Sequence, residues 1–384
     1  MKHSKLFLAI ILLSASISLF SQPQQIYTSD TYWEFRNDTL FITGTGYMTS
    51  FDHYNEDRPW EHLKNDSIYL SIAPGITYIG SDAFYGCSGF IGNLTIPETV
   101  TRIGSDAFCG CFGFTGDLII PESVTEIERG AFAGCRGFTG LKLPSTLRVI
   151  EENVFTSCTG FTGDLILSHV SWIDDYAFAY CRGFTGNLIL SPSLQRVGMA
   201  AFRECKNFTG SLTIPASVHT ISAFAFAQSG FTDSLFILSP QTGYGLCAFS
   251  GCGFTEIVFP SAMPSVNEAA FSNCTRLTNL VLPPSLNHIG NYAFGRCTGL
   301  TSLTLPAGLA IIEGQAFSLC SELKTIINLN PIPIDIDPTV FSGVDKSKCT
   351  LKVDMNSLAR YQQAPEWKDF LIEGVKGLAV EEMQ

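Results

Sequence analysis

The sequence predicts a β-rich solenoid. The expected form is a right-handed superhelix of parallel strands with little helix, about 11–12 coils of 22–24 residues, capped at both ends. Three observations predict it. Phe recurs at 84, 108, 132, 155, 178, 202, 226, 249, 271, 294, 317 and 341, with gaps of 22 to 24 residues. A Cys follows most of these Phe residues by three positions, at Cys87, Cys111, Cys135, Cys158, Cys181, Cys205, Cys252, Cys274, Cys297 and Cys320, and Ser229 fills the missing rung. A short apolar run of L-x-L type precedes each mark, as at Leu94, Leu118, Leu141, Leu165, Leu188, Leu212, Ile257, Leu280 and Leu303.

In chain order, the first element is a targeting segment at residues 1–21. Lys2, His3 and Lys5 precede the apolar run Leu6 to Phe20, which is too short to span a bilayer comfortably. The expected cleavage follows Ser21, so the mature chain begins at Gln22, is exported and carries no membrane span. The segment holds no cysteine and no lipid box. Loss of Lys2 and Lys5 takes the net charge from -12 to -14. With 46% hydrophobic and 15% charged residues, the chain can bury a large core. An acidic chain with no basic run excludes nucleic acid and anionic lipid as partners.

The repeating element comes next. A unit of about 23 residues with an L-x-x-L-x-L skeleton falls in the leucine-rich-repeat range. One coil cannot bury its own apolar face, and stacking turns each position into a row of a continuous core. The Phe and Cys rows become spines. "PESVTEIERGAF" (Pro121 to Phe132) fits a turn, a short second strand and a tight turn, with at most single helical turns around the Ala-Phe positions.

The unit "IPESVTEIERGAFAGCRGFTGLKLP" resembles the BspA-type leucine-rich repeat of bacterial surface proteins. The resemblance covers the solenoid, residues 68–345. It implies an N-terminal cap at 22–67 and a C-terminal cap at 346–384, with Trp33, Phe35, Trp60, Tyr361, Trp367 and Phe370 as plugs for the exposed end coils. It also implies a surface location and binding to host matrix or neighbouring-cell proteins.

Thirteen cysteines in an exported chain raise the question of disulfides. A ladder places one cysteine at the same inward site in every coil, which reads as small core thiols packed against Phe. Cys109, Cys247 and Cys349 lie off the ladder and are better candidates for oxidation or pairing. Metal ligands must converge on a point, and a ladder spreads them along a line. The one dense polar cluster, Phe51 to His62, reads as a solvated cap loop, with a cation site as the alternative. His169, His219 and His288 fall in different coils without a nucleophile or acid beside them. No catalytic, cofactor or metal site is assigned. Sequons stand at Asn37, Asn65, Asn93, Asn207 and Asn273 and matter only in a glycosylating host.

Function is sought on the strands. In L-x-L the leucines point inward and the middle residue outward. That column reads Thr95, Ile119, Lys142, Ile166, Ile189, Thr213, Phe236, Val258, Val281 and Thr304. Ile119, Ile166, Ile189, Phe236, Val258 and Val281 form an apolar stripe edged by Asp and Asn, which is the candidate protein-binding face. Strand propensity alone is the competing explanation and accounts less well for Phe236. The resulting expectation is a non-catalytic surface protein acting in adhesion or recognition. A carbohydrate-binding or glycan-harvesting accessory and a structural scaffold are the alternatives.

The recurring "GFTG" phrase, as at Gly113, Gly137, Gly160 and Gly183, is not a phosphate cradle. It recurs, feeds a strand and carries Asp117 in place of Lys. It reads as the repeat's corner. Coils with four residues, as from Phe114 to Leu118, against three from Phe138 to Leu141 predict a small bulge or wider turn in the long coils, and the shorter form from Phe254 onward predicts a change of curvature near residues 250–255.

Overall fold

The computed structural model describes residues 22–26, 29–52 and 58–378. The targeting segment, part of the Phe51 to His62 cluster and the last six residues lie outside them. The described residues form a parallel-strand β-solenoid of about 13 turns with almost no helix among them. It divides into two compact units, Met1–Phe161 and Thr162–Gln384.

Each coil has three sides. The first is the L-x-L strand, paired in parallel with a neighbouring coil in most coils, although residues 94–96 form no strand and the pairing is interrupted between Leu188–Leu190 and Leu212–Ile214 and between Glu256–Val258 and Asn279–Val281. Leu165–Leu167 pairs with Leu188–Leu190, and Leu212 to Ile214 pairs with Leu235 to Ile237. The second is the short strand, as in Trp172 and Ile173 beside Arg196 and Val197. The third is a turn around the Phe mark. Its N–H groups reach across coils, with Phe84 N–H donating to Ala107 O and Phe108 N–H to Ala131 O. No helix forms there. In most coils the residues two before and two after Phe are left-handed, as at Asp106 and Gly110 or Ala200 and Glu204. A reversal of hand every four residues prevents the repeated right-handed dihedrals that a helical turn requires.

The core is made of stacked rows. In the first unit Phe84, Phe108, Phe132 and Phe155 stack at 5.2, 5.3 and 5.8 Å between ring centroids. In the second unit the row runs from Phe178 to Phe341 at 5.2 to 5.5 Å. These spacings exceed the roughly 4.8 Å between paired strands, so the rings tilt and stack with an offset, the arrangement their quadrupoles favour. The Phe of each "GFTG" phrase forms a second row, in which Phe184, Phe208, Phe231 and Phe254 stack at 5.5 to 5.6 Å. Twelve marks plus Phe90, Phe114, Phe138, Phe161 and these four make twenty, which explains most of the thirty Phe residues.

The "GFTG" glycines are corner residues. A Cβ at Gly137 would stand 2.1 Å from Phe114 O, so the backbones meet where no side chain fits. The register shifts where a long coil meets a short one, but the extra residue, Thr139, lies in the short coil and not in the long one as expected. Phe138 pairs with Gly116, and the register then shifts so that Gly140 pairs with Asp117.

The thiols of the ladder are buried. Of the three off the ladder, Cys349 is buried and Cys109 and Cys247 are half-buried, with none paired. The ladder has a role that the sequence reading missed. Eight of the ten ladder thiols donate to the carbonyl of the preceding coil's Phe. Cys111 Sγ reaches Phe84 O at 3.0 Å, Cys135 reaches Phe108 O at 3.1 Å and Cys252 reaches Phe226 O at 3.0 Å. Ser229 keeps the bond, its Oγ 2.7 Å from Phe202 O. Burial pushes Cys87, Cys274 and Cys320 up to about 12.

The ends extend the rows with different residues. Strand Thr31–Arg36 turns back on Thr39–Gly44 through Asn37 and Asp38, both left-handed, as a two-residue hairpin turn requires. Thr39 to Ile42 then pairs in parallel with Tyr69–Ile72. Trp60 stacks on Phe84 at 5.7 Å, and Leu63 follows it by three, the spacing of the thiol slot. Trp60 Nε1 donates to Ala83 O at 2.9 Å, and Arg58 Nη1 donates to Asp82 O and Tyr85 O at 3.0 and 2.5 Å. These side chains stand in for the N–H groups of a missing coil. At the other end Trp367 and Phe370 pack against Phe341 at 5.8 and 5.4 Å, and parallel pairing runs on to Leu371–Val375. Trp33 and Tyr361 are buried as plugs, while Phe35 is only half-buried.

Candidate functional site

The L-x-L strands, which fall into several short parallel sheets, show their outward row as the alternation requires. In the second unit Ile166, Ile189, Val258 and Val281 are 56, 43, 40 and 56% exposed, while Leu165, Leu167, Leu188, Ile257, Leu280 and Leu282 beside them are buried. The pairing puts Ile166 against Ile189, and Thr213, Phe236 and Val258 side by side. Phe236 departs from expectation in being half-buried. Thr304, next in the row after Val281, is buried, which ends the exposed stretch. Ile119 belongs to the first unit, where it is 54% exposed and pairs with Lys142, so no apolar row continues there.

The neighbouring outward position is polar in coil after coil: Asp164, Asn187, Ser211, Ser234, Glu256 and Asn279. Asp164 Oδ1 accepts the Asn187 N–H at 2.7 Å, and Ser211 Oγ accepts the Ser234 N–H at 3.3 Å. These side chains tie adjacent coils together and edge the apolar row.

Thr213 interrupts the row between Ile189 and Phe236. Beside it lies an open-sided hollow of about 560 Å³, walled by Ile189, Leu190, Pro192, Pro215 and Leu238, with Asn187 and Ser211 also in its lining. Leu238 is 54% exposed and stands where neighbouring coils carry Pro or Ser. Leu190 is half-buried, although its counterparts Leu167, Ile214 and Ile237 are buried. Sequence reading missed this hollow. Its signal was an apolar residue after L-x-L at Leu238, together with a short residue in the column at Thr213.

The remaining candidates lie elsewhere. In the Phe51 to His62 cluster, Glu61 pairs with Arg58 and with Lys64, and residues 53–57 fall outside the described part. Although its partial burial raises it, Glu61 is held below the ordinary carboxylate value by its bond to Lys64 and by Arg58. His288 pairs with Glu313 at 3.0 Å across coils. Among the described residues no group of three His, Cys, Asp or Glu side chains is placed to hold a metal ion. Among them, too, no helix is long and apolar enough to cross a membrane. The ladder residues Phe84, Phe108, Phe132, Phe155, Phe178 and Phe202, with Cys87, Cys111, Cys135, Cys158, Cys181 and Cys205, are all buried.

A stack of parallel coils with short repeated strands defines a repeat protein of the solenoid type. The family comparison is specific. The BspA type leucine rich repeat region matches residues 64–185, 171–244 and 242–362. The chain belongs to the BspA-type leucine-rich-repeat family. Among solved structures, it is similar to a leucine-rich repeat protein from Bacteroides ovatus at 21% identity. That match covers 92% of this chain and all of the other, with a TM-score of 0.68. It is also similar to a leucine-rich repeat protein from Eubacterium ventriosum at 22% identity, covering 84% of this chain and 94% of the other, with a TM-score of 0.52. The comparison with curated proteins finds no match.

Proposed function

We propose that this is an exported, non-catalytic surface protein that recognises a protein partner through the strand face of its second unit. The observation that carries the reading is the row Ile166, Ile189, Val258 and Val281, which presents large apolar side chains to solvent while the core is already filled. Apolar surface left exposed in one row, edged by polar residues, is what an interface core and rim require. The basic and apolar start of the chain supports export, and family membership supports a surface location. Partners of this kind are host matrix or neighbouring-cell surface proteins.

The test is a binding screen of residues 22–384 against such proteins, followed by the triple variant Ile166→Glu, Ile189→Glu, Phe236→Glu. Partner binding is expected to be lost while circular dichroism and the melting curve are kept. Retained binding in a folded triple variant would sink the reading.

A further inference from the structure

We infer that the hollow beside Thr213 takes one large apolar side chain from an extended, cationic polypeptide segment. This rests on reading the strand face as a protein-binding surface, and it names the partner's chemistry.

The shape gives the apolar anchor. Ile189, Leu190 and Leu238 wall a space of about 560 Å³ that Thr213 is too short to fill. In the next coil the same outward position carries Phe236, so the sheet accommodates an aromatic ring at this site. The polar lining gives the polypeptide. Asn187 and Ser211 both line the hollow and are exposed, and an amide and a hydroxyl can each donate and accept. Ser211 Oγ accepts the Ser234 N–H and Asn187 Nδ2 donates to Asp164 Oδ1 at 3.4 Å, and an extended backbone supplies N–H and C=O groups for the capacity both side chains keep, which a bare hydrocarbon does not.

The charge gives the sign. The strand segments 162–168, 185–192, 208–215, 231–238, 254–260, 277–283 and 300–306 contain Asp164, Asp233 and Glu256 and no Lys or Arg. All three acids are exposed. A ligand lying on this face meets acids and no base, so Lys or Arg beside the anchor is favoured and Asp or Glu is disfavoured.

The test uses fluorescently labelled Lys-rich nonapeptides with a central Phe, read by anisotropy against residues 22–384. Matched peptides carry a central Ala, or Glu in place of Lys. The Phe peptide should bind about tenfold or more tighter than the Ala peptide, because the anchor's buried area is lost. The Glu peptide should not bind. Thr213→Phe fills the hollow and should weaken the Phe peptide about tenfold, whereas the near-isosteric Thr213→Val should stay within about twofold. The pair Asp233→Asn and Glu256→Gln should weaken binding and flatten its salt dependence. Equal binding of the Phe and Ala peptides, tolerance of the Glu peptide, or an inert Thr213→Phe overturns the proposal.

The two readings fail separately. If the triple-Glu variant loses the protein partner while Thr213→Phe keeps it, the hollow is wrong and the face stands. If the triple-Glu variant also keeps the partner, the face itself is wrong.

Discussion

Raising the pH from 8 to 10 should unfold this protein, and the thiol ladder is the reason. Ten thiols occupy the ladder. Burial pushes Cys87, Cys274 and Cys320 from 9.0 up to about 12, and raises Cys111, Cys135, Cys252 and Cys297 well above 9.0. The folded state therefore holds these thiols neutral, while the unfolded chain is free to ionise them. Below the unfolded value both states are protonated and the full stability is present. Above it the unfolded state sheds protons that the folded state keeps, so stability falls until the pH reaches the folded value. At pH 10, one unit above 9.0, each thiol favours unfolding by about 1.4 kcal/mol. The eight ladder thiols raised by burial, Cys205 among them, sum to on the order of 10 kcal/mol, comparable with the roughly 5–15 kcal/mol that holds a typical domain together. The assay is thermal melting by circular dichroism at pH 8, 9 and 10 under reducing conditions, with thiolate ultraviolet absorbance recorded in parallel. Melting temperature should fall steeply above pH 9, and thiolate should appear with unfolding and not before it. Cys252→Ser should shallow the slope by about one proton. A melting temperature that is flat from pH 8 to 10, or thiolate formed in the folded chain, would refute the reasoning.

Three further outcomes are expected. Ser229→Ala removes a 2.7 Å bond to Phe202 O while Cys205 N–H still reaches that carbonyl. It should cost about 1 kcal/mol, seen as a fivefold loss of local hydrogen-exchange protection, whereas Ser229→Cys should be near neutral. Equal protection in Ser229→Ala and the parent would argue against the donor role. Arg58→Met strips donors from Asp82 O and Tyr85 O at the chain's first turns. It should cost about 2–3 kcal/mol and fray residues 80–90 first in native-state exchange; uniform exchange along the chain would contradict this. Gly137→Ala drives a Cβ against Phe114 O and should cost about 3 kcal/mol or more in urea unfolding. Gly86→Asn, left-handed but with open space, should cost about 1 kcal/mol. Similar losses for the two would mean that the corner contact is not what holds glycine there.

The sequence by itself determined the coil, its period and the membership of its rows. Each coil touches only its neighbours, so a position repeated every 22–24 residues must stack on itself, and Phe84 or Ile166 can be assigned to a row without coordinates. Alternation in L-x-L likewise decided that Ile166, Ile189, Val258 and Val281 face out. Ser229 carried a readable hint, since a hydroxyl in a core row needs a hydrogen-bond partner. Only the tertiary structure decided what that partner is, because Phe202 O lies 27 residues away and meets Ser229 only when the coils stack. The same holds for Trp60 and Trp367, which extend the Phe row at its ends by shape and not by repeat identity. It holds for the hollow as well, which no single coil contains. Repetition fixes where each row runs. The gap arises from differences between adjacent coils, with Ile189, Thr213 and Leu238 of unlike length placed side by side, and those differences take physical form only once the chain is packed.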